Sequence, residues 1–448
     1  MKVVLGIDLG TSSAKLVVTG YGPPRVMGIA YPEDAPLGAI GRAVSQLCDP
    51  REIEAVGLSG QTGTFLISDA GGRVRARLPW YAPGRAEPLK RLLAAFSESE
   101  FVEMTGMVHP ALASYPLPTA LAIREDVALS RLLEDALLLQ PKDQLCLTLC
   151  GRAASDVGSW RGLVHPGTRA YPERLLAFAG LEAAQLPPME DWLAVSAEGA
   201  AQTGLRPGTP VAVGANDFYA ALNGMGVDGP GACFDVTGTS EHFGVVVGRR
   251  EGTKLIESPY KNGFARYGVT ACAGVSLDWA RRLFGPDAPE IHARAPIFLP
   301  YLRGERAPVF DERARGLFVG LTDQTSTDAL KYAVYEGVVF SIYSVWEALG
   351  RPKVREIRAT GGASTVKLLN ELKASVFGVS VVSESPACGS ALGAARYAGG
   401  EWAKDQSVTQ PDAALGERLR GRYAVYARMV RASRDMLDGV DTADMFGG

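Results

Sequence analysis

The chain has 448 residues, of which 47% are hydrophobic and 21% are charged. At about 100–200 residues per domain, this length predicts two or three domains with buried cores. Lys+Arg 46 against Asp+Glu 49 gives a net charge of −3, which excludes a general positive field for nucleic acid or an anionic membrane. Because no apolar run approaches the ~18 residues of a membrane span, we expect a cytoplasmic protein without membrane or nucleic-acid partners.

The cysteines and histidines do not follow a metal-binding pattern. The six cysteines are scattered except for Cys146 and Cys150, and the four histidines never fall at ligand spacing. We therefore expect reduced, buried thiols and no dedicated transition-metal site. The stretch Gly57-Leu58-Ser59-Gly60-Gln61 lacks the second glycine of a nucleophile elbow, so serine hydrolase chemistry is not favoured.

The first predicted element is a β-hairpin. Residues 3–7 and 14–18 are aliphatic runs, and Asp8-Leu9-Gly10-Thr11-Ser12-Ser13 between them supplies turn residues. This tip offers hydroxyls and a bare glycine backbone that a phosphate can approach. Asp8 could orient Mg²⁺ through water, since that ion keeps most of its hydration shell. The alternative is an aspartate that caps its own turn.

An α/β pattern follows the hairpin, because strand-like runs alternate with segments of helical spacing. The predicted strands are 53–59, 64–68 and 210–214, and the predicted helices are 87–96, 129–139 and 217–222.

Asp217 is a candidate general base. It follows a buried-looking strand and opens a predicted helix, whose positive dipole end favours the ionised carboxylate. A carboxylate placed there could accept a proton from an attacking hydroxyl. The alternative is a structural role as the helix N-cap, for which aspartate is a preferred residue.

A second hairpin is predicted about half a chain later. Residues 232–234 and 243–247 flank the turn Asp235-Val236-Thr237-Gly238-Thr239-Ser240, and Gly10 and Gly238 are 228 positions apart. This recurrence predicts two related halves. The glycine-rich stretch around Gly226 marks the natural boundary, so we predict domains over 1–226 and 227–448.

The second half continues the α/β pattern with a strand at 356–360 and helices at 277–284, 327–349 and 365–377. Gly361-Gly362-Ala363 follows that strand and could let a nucleotide approach the backbone; the alternative is a tight strand-to-helix connection. The two commonest nucleotide cradles, G-x-x-x-x-G-K-[ST] and G-x-G-x-x-G, are absent from the sequence.

Seven motifs stand in order along the chain, at 6–12, 57–61, 141–143, 214–217, 238–240, 298–308 and 359–364. Taken together, they resemble the FGGY family of carbohydrate kinases, and among them most closely the xylulokinases; residues 389–395 also resemble a late helix of that family. The resemblance implies an α/β, duplicated actin-like/hexokinase-like (ribonuclease H-like) two-domain fold with a cleft between the domains.

The resemblance implies an ATP-dependent kinase that phosphorylates a hydroxyl of a ketose or related polyol, with ATP and Mg²⁺ as cofactors. The resemblance also implies that the first domain binds the sugar and the second domain binds ATP. On the sugar side, the resemblance implies that Asp217 is the catalytic base and a sugar contact, and that Gln61 and Trp80 are further sugar contacts. Asp8 would bind magnesium through water, and Thr11 and Ser12 would lie near the transferred phosphoryl group. On the nucleotide side, Gly238 and Thr239 would contact the phosphates, and Gly361, Gly362 and Ala363 the adenosine.

The positions that would face the sugar depart from the xylulokinase pattern. Gly63 stands where those enzymes have a histidine, and Phe218 replaces a polar residue. Their usual W-N-D-x-R becomes Trp80-Tyr81-Ala82-Pro83-Gly84-Arg85, which loses the Asn and Asp and gains one residue. A site with different hydrogen-bonding groups should discriminate differently among polyols. The alternative hypotheses are a nucleotide-dependent binding or regulatory protein of the same fold and, less favoured, an actin- or chaperone-type ATPase. Homodimers are frequent in the family, so the resemblance allows a homodimer.

Overall fold

The computed structural model describes residues 1–11, 13–30, 36–108, 113–385 and 388–438. Within these ranges the chain forms eighteen strands. In chain order they are β1 (Val4–Leu9), β2 (Ser13–Thr19), β3 (Arg25–Ala30), β4 (Ala55–Gly60), β5 (Phe65–Ser68), β6 (Val74–Leu78), β7 (Leu137–Leu139), β8 (Trp192–Ala194), β9 (Pro210–Asn216), β10 (Cys233–Thr237), β11 (Glu241–Val247), β12 (Ile256–Tyr260), β13 (Gly263–Thr270), β14 (Ile297–Leu299), β15 (Leu317–Val319), β16 (Glu356–Thr360), β17 (Ser380–Ser385) and β18 (Asp405–Thr409).

The same ranges contain fourteen α-helices, and none of these is both long and apolar enough to cross a membrane. They are α1 (Pro36–Leu47), α2 (Ala86–Ala95), α3 (Glu98–Thr105), α4 (Pro116–Glu125), α5 (Val127–Leu133), α6 (Pro141–Cys150), α7 (Glu173–Ala179), α8 (Ala197–Thr203), α9 (Asp217–Gly224), α10 (Gly274–Phe284), α11 (Thr327–Ala348), α12 (Lys367–Phe377), α13 (Gly389–Tyr397) and α14 (Ala413–Leu437).

The predicted hairpins and most predicted helices are present, but the predicted helix over 129–139 is wrong in its second half. α5 ends at Leu133, and Leu137–Leu139 forms strand β7 instead. β7 pairs with β5, with Leu66 opposite Leu139. The sheet partner decides the conformation of this short leucine run, because periodicity alone does not separate a buried strand from a buried helix.

The chain divides into two compact units. Unit 1 comprises Met1–Gly226 together with Cys388–Lys404, and unit 2 comprises Val227–Ala387 together with Asp405–Gly448. The segment Cys388–Lys404, which the sequence analysis places in the C-terminal half, thus packs in unit 1.

Unit 1 is built on a six-stranded sheet in the order β3-β2-β1-β4-β9-β8. The hairpin strands β1 and β2 and the third strand β3 are antiparallel. β1, β4 and β9 then run parallel, and β8 closes the sheet as an antiparallel edge. A smaller sheet, β6-β5-β7, packs with its own buried cluster of helices.

Unit 2 repeats this order of strand directions in a seven-stranded sheet, β12-β13-β11-β10-β16-β17-β18. β10, β11, β13 and β12 are antiparallel neighbours, β10, β16 and β17 run parallel, and β18 is an antiparallel edge. The core of this unit includes α11, whose buried residues lie all around the helix, as expected for a helix enclosed by its domain. The predicted α/β class is confirmed.

Helix α13 lies against the sheet and helix α9 of unit 1 at backbone contact distance. A Cβ atom added at Gly393 would lie 1.7 Å from the Ala220 carbonyl oxygen, and one added at Gly57 would lie 1.8 Å from the Ala394 oxygen. Gly6 is equally close, with 2.2 Å to a helix carbonyl. Glycine is needed at these positions because any side chain would push the helix away from the sheet.

We predict that Gly393→Ala destabilises the protein by about 1–3 kcal/mol, the usual cost of overpacking. Alanine is intrinsically better than glycine inside a helix, by about 1 kcal/mol, so the loss comes from the contact with α9. The matched control is Gly421→Ala in helix α14, where an added Cβ meets nothing within 4 Å. If urea unfolding gave both variants the same free energy of unfolding, the contact between α13 and α9 would not be the cause.

Candidate active site

Three parallel strands of unit 1 end at one edge of its sheet, and the two candidate carboxylates lie there. β1 pairs with β4 so that Asp8 is opposite Ser59, and β4 pairs with β9 so that Gly60 is opposite Asn216. Asp217 follows Asn216 as the first residue of α9. Because the carboxyl ends of parallel strands form the usual ligand edge of an α/β sheet, this register brings Asp8 and Asp217 to one place.

Asp8 is buried and held by two hydroxyl groups. Ser59 Oγ donates to Asp8 Oδ1 at 2.9 Å, and Ser390 Oγ donates to Oδ2 at 2.6 Å. Burial raises the pKa of Asp8, while the bonds from Ser390 and Ser59 and the charge of Lys15 act in the opposite direction. The two hydroxyls therefore favour the ionised carboxylate and fix its plane.

Asp217 has a strongly raised pKa. Burial, followed by the negative charge of Asp8, raises its pKa to about 7, and the backbone N–H of Phe218 and the charge of Arg161 counteract that rise. The Phe218 N–H donates to Asp217 Oδ1 at 2.8 Å. The helix N-cap is Asn216, whose side chain accepts from the Tyr219 N–H. The alternative of Asp217 as the N-cap is thus wrong.

Thr11 and Gln61 lie together at the same edge. Thr11 Oγ1 donates to Gln61 Oε1 at 2.9 Å, and the Gln61 backbone N–H donates to the Leu9 carbonyl at 2.7 Å. Among the described residues, the buried Gln61 Nε2 group has no acceptor. A hydroxyl oxygen of a ligand would suit this donor. Ser12, the other predicted hydroxyl of this turn, lies outside the described residues.

Trp80 is 47% exposed and sits in a loop that a buried arginine holds. The Arg85 guanidinium donates to the backbone carbonyls of Gly63 and Trp80 at 3.1 and 3.3 Å, and also to those of Leu78 and Pro79. This fixes Trp80 beside Gly63, the position at which the sugar-facing pattern differs.

A buried ion network behind these residues was not assigned a role from the sequence. Lys142 Nζ lies 3.1 Å from Asp156 Oδ1 and 3.4 Å from Asp143 Oδ1. Asp143 also accepts from the indole N–H of Trp160 at 2.9 Å. The sequence signal for this network was the Lys-Asp pair in the first turn of helix α6. A second missed residue is Ser390, because its partner Asp8 is 382 positions away.

The predicted nucleotide residues of unit 2 also gather at the carboxyl edge of parallel strands. Val236 of β10 is opposite Thr360 of β16, so the turns after both strands adjoin. Gly361 has a φ of +99°, and a Cβ there would lie 2.2 Å from the Thr237 carbonyl oxygen. Only glycine suits this position. The segment Gly362–Thr365, which includes Ala363, forms a short 3₁₀ helix.

The start of helix α10 supports the turn that contains Gly238 and Thr239. The backbone N–H of Gly274 donates to the Gly238 carbonyl at 3.2 Å, and that of Val275 donates to the Thr239 carbonyl at 3.3 Å. Gly238 and Thr239 therefore occupy a turn braced by both β strands and a helix.

Asp8 is compatible with a hydrated magnesium ion. Its two oxygens each accept one hydroxyl bond and keep further acceptor capacity. Within the described ranges, no three His, Cys, Asp or Glu residues form a group that could hold a bare metal. The single carboxylate of Asp8 suits an ion that is held largely by water and phosphate oxygens, as Mg²⁺ commonly is.

Comparison with known proteins confirms the resemblance. Residues 234–402 match the C-terminal domain of the FGGY family of carbohydrate kinases. The chain is 26% identical to a xylulose kinase of Bacillus subtilis over 445 residues, covering 89% of this chain and 88% of that relative. It is also 26% identical to an erythritol kinase of Brucella abortus over 503 residues, covering 95% of each. The solved structure of a ligand-bound xylulose kinase from Lactobacillus acidophilus shows the same fold, with a TM-score of 0.82 at 20% identity over 99% of this chain and 100% of that one.

We predict that Asp217→Asn stabilises the folded protein, and more so at pH 8 than at pH 5. The folded-state pKa of about 7 exceeds the ordinary value of 3.8, so ionising Asp217 costs folding free energy that accumulates as pH rises between these values. Asparagine cannot ionise and avoids that cost. Thermal midpoints at both pH values test this, with the exposed Asp287→Asn as charge control; an equal gain at both pH values would contradict it.

Proposed function

We propose that the chain is an ATP-dependent kinase of the FGGY carbohydrate kinase family that acts on a ketose or related polyol. Its residues 234–402 match the C-terminal domain of that family. It would transfer the γ-phosphoryl group of ATP to one hydroxyl of that substrate. The observation that carries the proposal is Asp217, a carboxyl with a pKa of about 7 next to a second carboxylate, Asp8.

Asp217 would act as the general base. Its ionised carboxylate accepts the proton of the substrate hydroxyl while the hydroxyl oxygen forms its bond to the γ-phosphorus and the bond to the ADP oxygen breaks. A base is most effective when its pKa lies near the working pH, which is the range that burial and Asp8 produce here. The Phe218 N–H on Oδ1 holds the carboxylate in place.

Asp8 would hold hydrated magnesium, with Ser59 and Ser390 fixing its orientation. When bound, Mg²⁺ supplies charge neutralisation for the phosphate oxygens, which together with positioning is most of what phosphoryl transfer requires. Thr11 and Ser12 would lie near the transferred group, as the family resemblance implies.

Unit 2 would bind the nucleotide. Gly238 and Thr239 would contact the phosphates, because their turn is exposed, is braced by helix α10 and contains a glycine whose backbone a phosphate can approach. Gly361, Gly362 and Ala363 would contact the adenosine, where positive φ and the short 3₁₀ turn keep the backbone close to the strand ends.

The acceptor would contact Gln61 and Trp80. The orphan Gln61 Nε2 offers one hydrogen bond, and the exposed Trp80 face offers apolar contact to the C–H groups of a sugar. One relative is named for xylulose and another for erythritol, which supports a polyhydroxylated acceptor. Gly63 beside Trp80 removes the side chain found in xylulokinases, so the preferred acceptor need not be xylulose.

The first test is ADP release across a panel of pentuloses, hexuloses, heptuloses and polyols. We expect one acceptor class to stimulate turnover, and Asp217→Asn to lower kcat by about 10²–10⁴-fold, the usual contribution of a general base. Asp287→Asn serves as the matched control. Nucleotide binding without phosphorylation of any acceptor would instead favour the binding or regulatory alternative.

The second test is the pH dependence of kcat/KM on the best acceptor. Because Asp217 must be ionised to accept a proton, kcat/KM should fall tenfold per pH unit below a pKa of about 7. The plateau should lie on the alkaline side. A profile that stays flat down to pH 5 would rule out this carboxyl as the base.

A further inference from the structure

A buried ion cluster in unit 2 lies outside the residues proposed for chemistry. Lys373 of α12 places its Nζ 2.5 Å from Asp235 Oδ2 and in contact with Glu241 Oε1. The Thr237 hydroxyl lies 3.0 Å from Asp235 Oδ1 and 2.9 Å from Glu241 Oε1, with Lys373 Nζ at 3.4 Å. All four side chains are at most 1% exposed.

Stability alone does not account for this cluster. Taking charges out of water is costly, and buried ion pairs often stabilise no better than apolar residues of the same volume. Burial and the charge of Asp235 raise the pKa of Glu241 to about 8 despite Lys373. In the described part of the chain, Glu241 Oε2 also has no hydrogen-bond partner. Burying this cluster therefore costs folding free energy, although its geometry is specific.

Its position in the chain indicates what it holds. Thr237 is the last residue of β10 and Glu241 is the first residue of β11, and the two are paired in register. Only Gly238, Thr239 and Ser240 lie between them. The Lys373 ammonium therefore contacts both ends of the turn proposed to bind the nucleotide phosphates.

The same residues also position the second nucleotide segment. The Thr237 carbonyl oxygen lies against Gly361, where a Cβ would come within 2.2 Å. Any shift of Thr237 would move the backbone that Gly361 packs on. Lys373 is thus linked through Thr237 to both strand-end turns of unit 2.

We infer that Lys373 is a positioning residue for nucleotide binding: through Thr237 and Glu241 it holds the Gly238–Ser240 turn, and with it Gly361, in the geometry that receives the nucleotide. Lys373 itself is fully enclosed and acts through these residues. This inference rests on the proposed function only in taking the turn to be the phosphate site.

The test is direct binding of the non-hydrolysable analogue AMP-PNP with Mg²⁺, measured by calorimetry on the full chain without any sugar. We expect Lys373→Met to weaken AMP-PNP binding about tenfold, which lies within the range of interaction energies found for residues in one hydrogen-bond network. In turnover assays KM for ATP should rise while KM for the acceptor stays unchanged. The matched control is Lys367→Met on the same helix, whose side chain is 87% exposed and should bind as the parent does.

A second variant keeps the test decisive if Lys373→Met does not fold. Thr237→Val has nearly the same shape and removes only the hydroxyl link, so binding should weaken about threefold. Unchanged AMP-PNP affinity in a folded Lys373→Met, or in Thr237→Val, would overturn the inference. If the parent binds AMP-PNP but phosphorylates no acceptor, the proposed function fails while this inference stands.

Discussion

The close approach of helix α13 to the sheet of unit 1 is the constraint on which the candidate base site depends. Carbonyl groups of α13 lie where the side chains of Gly6 and Gly57 would otherwise be, and Gly393 meets α9 in the same way. This contact distance places Ser390, in the first turn of the helix, within hydrogen-bonding reach of Asp8. A bulkier interface would move that hydroxyl away and leave one carboxylate oxygen without its donor.

The electrostatics of the site follow from that placement. Two carboxylates at neighbouring strand ends cannot both ionise cheaply away from water. The hydroxyls of Ser59 and Ser390 favour ionisation of Asp8, and its charge then contributes to the raised pKa of Asp217. Parallel pairing thus gives two identical functional groups different environments, because Asp8 has protein donors on both oxygens and Asp217 has a backbone N–H on one.

Local sequence patterns were sufficient to predict the structural features that depend on residues close together in the chain. The strand–turn–strand runs around Asp8 and Gly238, and the strand leading to Asp217, form as predicted because alternation, glycine and helix-start signals act over a few residues. Leu137–Leu139 was misassigned because a strand partner far along the chain decides its conformation. The hydrogen bond from Ser390 to Asp8 and the ion pair of Lys373 with Glu241 were missed for the same reason. The partners are 382 positions apart in the first case and 132 in the second.

The insertion of Cys388–Lys404 into unit 1 has a consequence for synthesis on the ribosome. The N-terminal 226 residues emerge first, yet the helix that covers the glycine face of their sheet emerges only after most of unit 2. Unit 1 therefore completes its packing only after most of unit 2 has been synthesised, and until then α13 cannot cover Gly6 and Gly57. The serine that α13 brings to Asp8 arrives equally late, so formation of this site depends on synthesis of the chain through α13.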